Sequence, residues 1–212
     1  MPRRPSKNPL ALAVLALLAE RPMHPYEMGV ILRQRHKEES IKLRYGSLYT
    51  VIDFLLKEDL IIARETAREG RRPERTVYEL TPAGAAQLRA WMADLLAQPA
   101  KEYPQLGAAL CFLPVLPPDE ALMLLRQRLH ALEQNAAALA GQMEGLSDLP
   151  PLFLIEAEYR LILLKAEEAF VADLVRRIAG GWGPLDLWRG FHEDREATLE
   201  KLYRQYGGAP MT

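Results

Sequence analysis

The fold of this chain is decided by residues 46–82, whose sequence is GSLYTVIDFLLKEDLIIARETAREGRRPERTVYELTP. The first part predicts an amphipathic helix, because apolar residues recur on one face at Leu48, Ile52 and Leu55. Two extended segments follow, residues 61–66 and 75–80, separated by a polar turn with glycine and proline. Thr81 and Pro82 then provide the start signals of another helix. The stretch predicts a helix, a hairpin and a further helix in succession.

Two helices are predicted upstream of this stretch. The first spans residues 9–20, and prolines then interrupt the chain before a second helix that begins at Pro25. Gly29 within it indicates a close approach by another element, and Ser47 is a candidate N-cap for the third helix. The order of three helices, two strands and a helix predicts a winged helix-turn-helix, in a chain that is mainly α with a small β-wing.

The second half of the chain predicts a helical domain. A proline-rich connector is expected at residues 99–118, between an N-terminal domain at 1–98 and a C-terminal domain at 119–212. Helices are predicted through the Leu122–Leu146 region, at about residues 152–179 and at about 185–206. The expected architecture is an antiparallel helical dimerisation domain.

A leucine seam gives the clearest periodicity in this half. Its members are spaced alternately by three and four residues, as in a coiled coil, and they are Leu122, Leu125, Leu129, Leu132, Ala136, Leu139, Met143 and Leu146. We expect dimerisation through Leu122, Leu125, Leu129, Leu132, Leu139 and Met143. An intrachain bundle with the two later helices is an equally open alternative.

Charge is distributed unevenly along the 212 residues, although the net charge is only −1. Residues 1–98 carry 16 basic and 12 acidic side chains, whereas residues 99–212 carry 11 and 16. The halves therefore suggest different partners. Cys111 is the single cysteine, which excludes an intramolecular disulfide. Since no apolar run reaches the length of a membrane span and the N-terminus has no clear cleavage site, we predict a cytoplasmic protein without a membrane partner.

Basic and hydroxyl side chains cluster where this architecture would meet DNA. On a helical wheel, the third helix presents Ser47, Thr50, Phe54 and Lys57 on the face opposite its apolar stripe. Cations are expected at phosphates from three further places: Lys42 and Arg44 before the helix, the wing residues Arg71, Arg72 and Arg75, and an arm of Arg3, Arg4 and Lys7. Asp53 opposes this interpretation, because its carboxylate repels phosphate unless it faces away or accepts from a cytosine amine.

Enzymatic and metal chemistry find little support in the sequence. The four histidines are scattered, and no phosphate-binding loop or nucleophile elbow is present, so we predict no enzyme, no cofactor and no metal site. Trp91, Trp182 and Trp188 could line a site for a small aromatic effector, although packing roles are commoner for such residues.

The N-terminal half resembles the PadR family of transcriptional regulators. The resemblance lies in residues 15–18 (LALL), 23–28 (MHPYEM), 46–49 (GSLY), 56–61 (LKEDLI) and 78–84 (YELTPAG). The second half resembles the C-terminal helices of longer, virulence-activator-type members. This resemblance implies a homodimer that binds a palindromic double-stranded DNA operator, usually as a repressor released by a small molecule. It also implies DNA contacts at Tyr26, Ser47, Tyr49 and Thr50.

Two departures from the family pattern are visible. Pro25 stands where many members have glycine, and Asp53-Phe54 stands where members often carry a basic residue, which puts base contacts there in doubt. His24 belongs to the motif, with a capping or packing role at least as expected as a DNA contact. One different function stays open: a helical adaptor that acts through the leucine seam without binding DNA.

Overall fold

The computed structural model describes residues 8–64, 76–183 and 185–206. The chain forms two compact units, Met1–Glu102 and Tyr103–Thr212. Among the described residues, no helix is both long enough and apolar enough to cross a membrane.

The first unit has the predicted winged helix-turn-helix order. Its elements are α1 (Pro9–Glu20), α2 (Pro25–Gln34), α3 (Tyr45–Lys57), β1 (Ile61–Arg64), β2 (Val77–Leu80) and α4 (Pro82–Ala97). A 3₁₀ turn at Lys37–Glu39 lies between α2 and α3. The prediction of a mainly α fold with a small β-wing is confirmed.

The α1 helix lies at the centre of this unit. It is buried on nearly all sides, through Leu10, Ala11, Ala13, Val14, Leu15, Leu17 and Leu18. Such all-round apolarity is typical of a core helix. The Asn8 side chain caps α1 by accepting a hydrogen bond from the backbone N–H of Leu10 at 3.0 Å. This apolar helix is thus the one around which α3, α4 and β2 pack.

The wing is an antiparallel pair in which Ile61 lies opposite Leu80 and Arg64 opposite Val77. Met23, between α1 and α2, adds a third partner: its backbone N–H donates to the Tyr78 carbonyl, and the Tyr78 N–H donates to the Met23 carbonyl, both at 3.1 Å. The α1–α2 connection and the wing are therefore tied together by backbone hydrogen bonds.

Thr81 and Gly84 join β2 to α4. Thr81 is the N-cap, with its hydroxyl oxygen accepting from the Gly84 N–H at 2.9 Å and its hydroxyl lying 3.0 Å from the carbonyl oxygen of Leu60. Gly84 is buried so close to Leu60 that a Cβ there would lie 2.0 Å from that carbonyl oxygen. Only glycine leaves room for α4 to begin against the end of the preceding turn.

The second unit is helical, with α5 (Gln105–Cys111), α6 (Pro118–Glu144), α7 (Ile155–Ala179), α8 (Leu185–Glu193) and α9 (Arg195–Tyr206). The predicted connector at 99–118 includes α5 and a 3₁₀ turn at Leu113–Val115. Its apolar side chains pack on the core of this unit, and they are Leu106, Leu110, Leu113 and Leu116. The functional division at residues 98 and 119 stays a prediction.

The leucine seam of α6 packs inside the chain over much of its length. Its members Leu125, Leu132, Ala136 and Leu139 are buried, and α6 makes its main packing contact with α7. Leu122 and Leu129 pack on the same core, whereas Leu146 lies beyond the helix end and is exposed. The intrachain alternative thus accounts for the buried members, and a role for the seam in dimerisation stays a prediction.

The single last helix predicted for residues 185–206 is wrong, because the chain breaks between α8 and α9 at Asp194. The Asp194 side chain accepts from the Ala197 N–H at 3.0 Å, as an N-cap does. Gly190 allows α8 and α9 to approach closely, since a Cβ at this position would lie 2.4 Å from the Thr198 hydroxyl oxygen. An aspartate in a polar stretch signals a cap only weakly, so hydrophobic periodicity does not predict the break.

Candidate nucleic-acid interface

The α3 helix has a buried face and an exposed polar face. Leu48, Val51, Ile52 and Leu55 are buried. Ser47, Thr50, Asp53 and Lys57 are exposed. Phe54 was expected on the free face, but it is half-buried and packs against the core. The predicted placement of Phe54 is therefore wrong. The apolar face of α3 is wider than the stripe of Leu48, Ile52 and Leu55 from which the helical wheel was drawn.

The start of α3 differs from the sequence prediction. Arg44, not Ser47, is the N-cap residue, and no side chain caps the helix there. Ser47 lies inside the first turn, with its side chain exposed. The Thr50 hydroxyl donates to the Gly46 carbonyl oxygen at 3.0 Å, which leaves its oxygen lone pairs as acceptors. The first two turns thus present two hydroxyl groups to solvent.

The predicted basic residues lie at opposite ends of α3. Lys42 and Arg44 are exposed immediately before the helix, and Lys57 is exposed at its last residue. Since an α-helix rises 1.5 Å per residue, Lys57 lies about 15 Å along the axis from Ser47. Lys57 therefore belongs to a different part of the surface from the hydroxyl groups and the upstream cations.

Tyr26 lies beside the start of α3, although it belongs to α2. Its ring is 59% exposed and stacks on the ring of Tyr45, with centroids 6.3 Å apart and planes 7° from parallel. His24 caps α2, because its Nδ1 accepts from the Tyr26 backbone N–H at 3.0 Å. The capping role considered for His24 is thus the one that the structure has.

Tyr45 itself contacts Arg33 and Gly29, both on α2. Arg33 Nη1 donates to the Tyr45 hydroxyl at 2.6 Å, and the guanidinium carbon lies 4.6 Å from the ring centroid. Gly29 lies under the ring, where a Cβ would come within 3.0 Å of Tyr45 Cε1. The close approach predicted at Gly29 is therefore real, and Tyr45 is what approaches. Tyr45 and Arg33 were not predicted as site residues, since no pattern in the sequence pairs them.

The electrostatic environment of Asp53 involves the wing. Burial raises the pKa of the Tyr78 phenol, and the nearby charges of Asp53 and Tyr49 raise that pKa further. Tyr78 is therefore a protonated hydroxyl at neutral pH. Asp53 remains exposed on α3, so its carboxylate is available to repel phosphate or to accept a hydrogen bond.

Several predicted contacts fall outside the described residues. The wing cations Arg71, Arg72 and Arg75 do so, as does the N-terminal arm of Arg3, Arg4 and Lys7. The predicted DNA contacts that lie within the described residues are all exposed, and their part in binding stays a prediction; they are Tyr26, Lys42, Arg44, Ser47, Tyr49, Thr50 and Lys57.

Each tryptophan has contacts within its own unit. Trp91 is buried in the core of the first unit, and Trp188 in that of the second, where its Nε1 donates to the Leu116 carbonyl at 2.8 Å. Trp182 lies beneath the Arg177 guanidinium, 5.2 Å from the ring centroid. Across residues 8–64, 76–183 and 185–206, no cluster of three metal-ligating side chains occurs.

Comparison with known proteins finds a family match for the first unit. Residues 14–90 match the model of the Transcriptional regulator PadR-like family. Bacillus subtilis PadR in complex with operator DNA is 21% identical, with a TM-score of 0.63 over 81% of this chain and 99% of that chain. The same protein in complex with p-coumaric acid is 18% identical, with a TM-score of 0.66 over 80% and 98%.

A PadR-like transcriptional regulator from Bacillus cereus is 14% identical, with a TM-score of 0.56 over 84% of this chain and 99% of that chain. No curated protein matches the chain. At these identities the solved structures show a shared fold, and the likeness to the family lies in the match over residues 14–90. The winged helix-turn-helix unit of this chain is thus similar to the transcriptional regulator PadR-like family, whose model it matches over residues 14–90.

Proposed function

We propose that this chain is a homodimeric, sequence-specific DNA-binding regulator that binds a palindromic operator and acts as a repressor released by a small aromatic effector. The observation that carries the proposal is the exposed hydroxyl-bearing face of α3, with Tyr26 beside its start and cations before it. A major groove admits one α-helix, whose N-terminal residues contact base edges.

Each described residue has a role that follows from its position. Ser47 and Thr50, on the first two turns of α3, are placed for base edges or for the phosphates beside them. Lys42 and Arg44 neutralise phosphates where the chain enters the groove, and Tyr26 and Tyr49 donate hydroxyl hydrogen bonds. Lys57, at the far end of α3, contacts a phosphate further along the duplex.

The wing contributes arginine side chains in this proposal. Arg71, Arg72 and Arg75 occupy the segment between β1 and β2, where arginine side chains can enter an adjacent minor groove or contact the backbone. Their part in binding rests on the sequence alone, because they lie outside the described residues.

Dimerisation is assigned here to an apolar stripe on α7, in addition to the predicted leucine seam. The stripe consists of exposed apolar side chains at helical spacing, namely Ile155, Tyr159, Ile162, Leu163 and Phe170. Much of the seam is buried within one chain, whereas these five side chains of α7 are exposed. Exposed apolar patches of this kind mark interaction sites, and a palindromic operator requires a second copy of the chain.

The repressor role and the effector are supported by analogy. The similar Bacillus subtilis structures contain operator DNA in one case and p-coumaric acid in another. A hydroxycinnamic acid is therefore the first effector to test, as a compound that lowers the affinity of this chain for its operator.

The decisive experiment is a fluorescence-anisotropy titration of the protein against the DNA upstream of its own reading frame. We expect affinity to fall steeply as salt rises, because each phosphate contact releases condensed counterions. Replacing Lys42 with alanine should weaken binding to all duplexes and lower the salt slope by about 0.9. Replacing Thr50 with valine, if it faces a base, should weaken operator binding more than binding to random duplex.

The matched control is Lys201→Ala, which removes an exposed lysine from α9. This variant should bind as the unmodified protein does. Salt-independent affinity, or equal affinity for every duplex and for a polyanion such as heparin, would contradict the proposal. In that event the adaptor hypothesis predicts that Arg71→Ala/Arg72→Ala leaves function unchanged.

A further inference from the structure

The rings of Tyr26 and Tyr45 stack on each other across two helices. Tyr26 is on α2 and Tyr45 is the first residue of α3, so the stack spans the junction of the helix-turn-helix. Parallel rings 6.3 Å apart lie within the range of favourable offset stacking. The orientation of one ring therefore depends on the orientation of the other.

Three further contacts fix the Tyr45 ring. The Arg33 guanidinium both donates to its hydroxyl at 2.6 Å and lies 4.6 Å from its centroid. Arg33 also forms an ion pair with Glu38, in which Nε lies 3.8 Å from Oε2. The guanidinium therefore contacts a carboxylate as well as the Tyr45 ring. On α2, Gly29 has no side chain, which leaves room for the Tyr45 ring to pack against the α2 backbone. Tyr45 is the more constrained ring of the pair, and Tyr26, 59% exposed, is the freer one.

We propose that Tyr45, clamped by Arg33 and seated on Gly29, is a positioning residue that holds the Tyr26 ring in the orientation in which its hydroxyl contacts DNA. The inference rests on the proposed function, in which Tyr26 touches the operator. A long aromatic side chain on a helix surface loses rotamer freedom when it binds, and a ring already held in place has lost that freedom beforehand. Tyr45 thus raises affinity by acting through Tyr26.

The test in the free protein is nuclear magnetic resonance of the Tyr26 ring. Tyr45→Leu removes the ring that stacks on Tyr26, so we expect the ring-current shifts of Tyr26 to disappear and its χ1 angle to average over several rotamers. Tyr45→Phe keeps the stack and loses only the Arg33 hydrogen bond, so most of the Tyr26 shift should remain. If the Tyr26 signals are unchanged in Tyr45→Leu, the proposal is wrong, whether or not the protein binds DNA.

The test on DNA is a double-mutant cycle at fixed salt. Tyr45→Leu should weaken operator binding about fivefold, the value of one aromatic stack. In a Tyr26→Leu background the same change should have little further effect, because its consequence passes through Tyr26. The salt slope should not change, since neither variant removes a cation. Equal losses in the two backgrounds would overturn the proposal, because a purely structural defect adds to the loss of Tyr26.

Two further variants keep these results interpretable. Gly29→Ala, whose Cβ would press on the Tyr45 ring, should reproduce part of the Tyr45→Leu effect in both measurements. Tyr203→Leu changes an exposed tyrosine on α9 and should change neither. If the unmodified protein binds no DNA while Tyr26 responds to Tyr45→Leu, the positioning contact stands and the proposed function fails.

Discussion

Gly84 shows how a single residue decides whether two elements can meet. A Cβ at this position would lie 2.0 Å from the Leu60 carbonyl oxygen and 2.7 Å from Leu80 Cδ1. The nearer atom belongs to the backbone, which cannot move away as the end of a flexible side chain could. The glycine is therefore required by the packing of α4 against the strands, and the Thr81 cap depends on the same geometry.

We predict that Gly84→Ala lowers the free energy of unfolding by about 2 kcal/mol or more, because overpacking forces backbone shifts. Urea denaturation followed by circular dichroism measures the change. Gly46→Ala is the matched control: nothing lies within 4 Å of a Cβ there, so it should be neutral or stabilise α3 by up to about 1 kcal/mol. Equal stability of the two variants would refute the packing argument.

Between elements, an ion pair joins the end of α1 to the end of α2. Arg35 Nη2 donates to Glu20 Oε2 at 2.8 Å, and Nη1 donates to the other carboxylate oxygen. The hydrogen bond from Arg35 holds the pKa of the Glu20 carboxyl below its ordinary value of 4.5. A carboxylate whose pKa is lower in the folded state stabilises the fold at pH values above its unfolded-state pKa. That contribution is lost as the pH falls through the folded-state pKa.

The predicted consequence is a pH-dependent effect of Glu20→Gln. At pH 7 the substitution should lower the free energy of unfolding by less than about 1 kcal/mol, since both side chains are nearly half exposed. The difference from the unmodified protein should shrink as pH falls below about 4.5, where Glu20 becomes protonated. Denaturation at a series of pH values tests this, with Arg35→Gln and the double variant completing a cycle. A difference that grows below pH 4.5 would have the wrong sign.

For the whole molecule, assembly is the property on which operator binding depends. Two half-sites bound by one dimer gain affinity through effective concentration. The α7 stripe is suited to this task because Ile162, at its centre, is 66% exposed although apolar. Leu132 of the seam, by contrast, is buried against its own chain.

We predict that Ile162→Asp gives a folded monomer, whereas Leu132→Asp unfolds the second unit. Sedimentation equilibrium measures the oligomeric state, and circular dichroism reports the helical content. The folded monomer should retain weak half-site binding and lose the cooperative binding to a palindrome. A dimer that persists in Ile162→Asp would show that the stripe is not the interface, and a protein that is monomeric before any substitution would remove the basis of the dimer proposal.

Sequence patterns were most reliable where one local rule decides the outcome. The start of α1 at Pro9, the Thr81 cap and the winged order follow from proline, hydroxyl and periodicity signals, and the structure has them all. Sequence patterns were wrong where the outcome depends on packing against a distant segment. Phe54 lies on the face of the helical wheel opposite the apolar stripe but still packs against the core. The α3 helix begins before Ser47, at Tyr45, whose ring lies against Gly29 of α2.

By itself, the sequence determined the order of helices and strands in the first unit and the family that this half resembles, because spacing and turn residues act over a few neighbours. Only the tertiary structure decided what each apolar face meets. The leucine seam satisfied a coiled-coil pattern equally well with a second chain or with α7, since burial of apolar area does not depend on where the partner begins. The pairing of Arg33, Tyr45 and Tyr26 was likewise decided in three dimensions, where α2 and α3 cross.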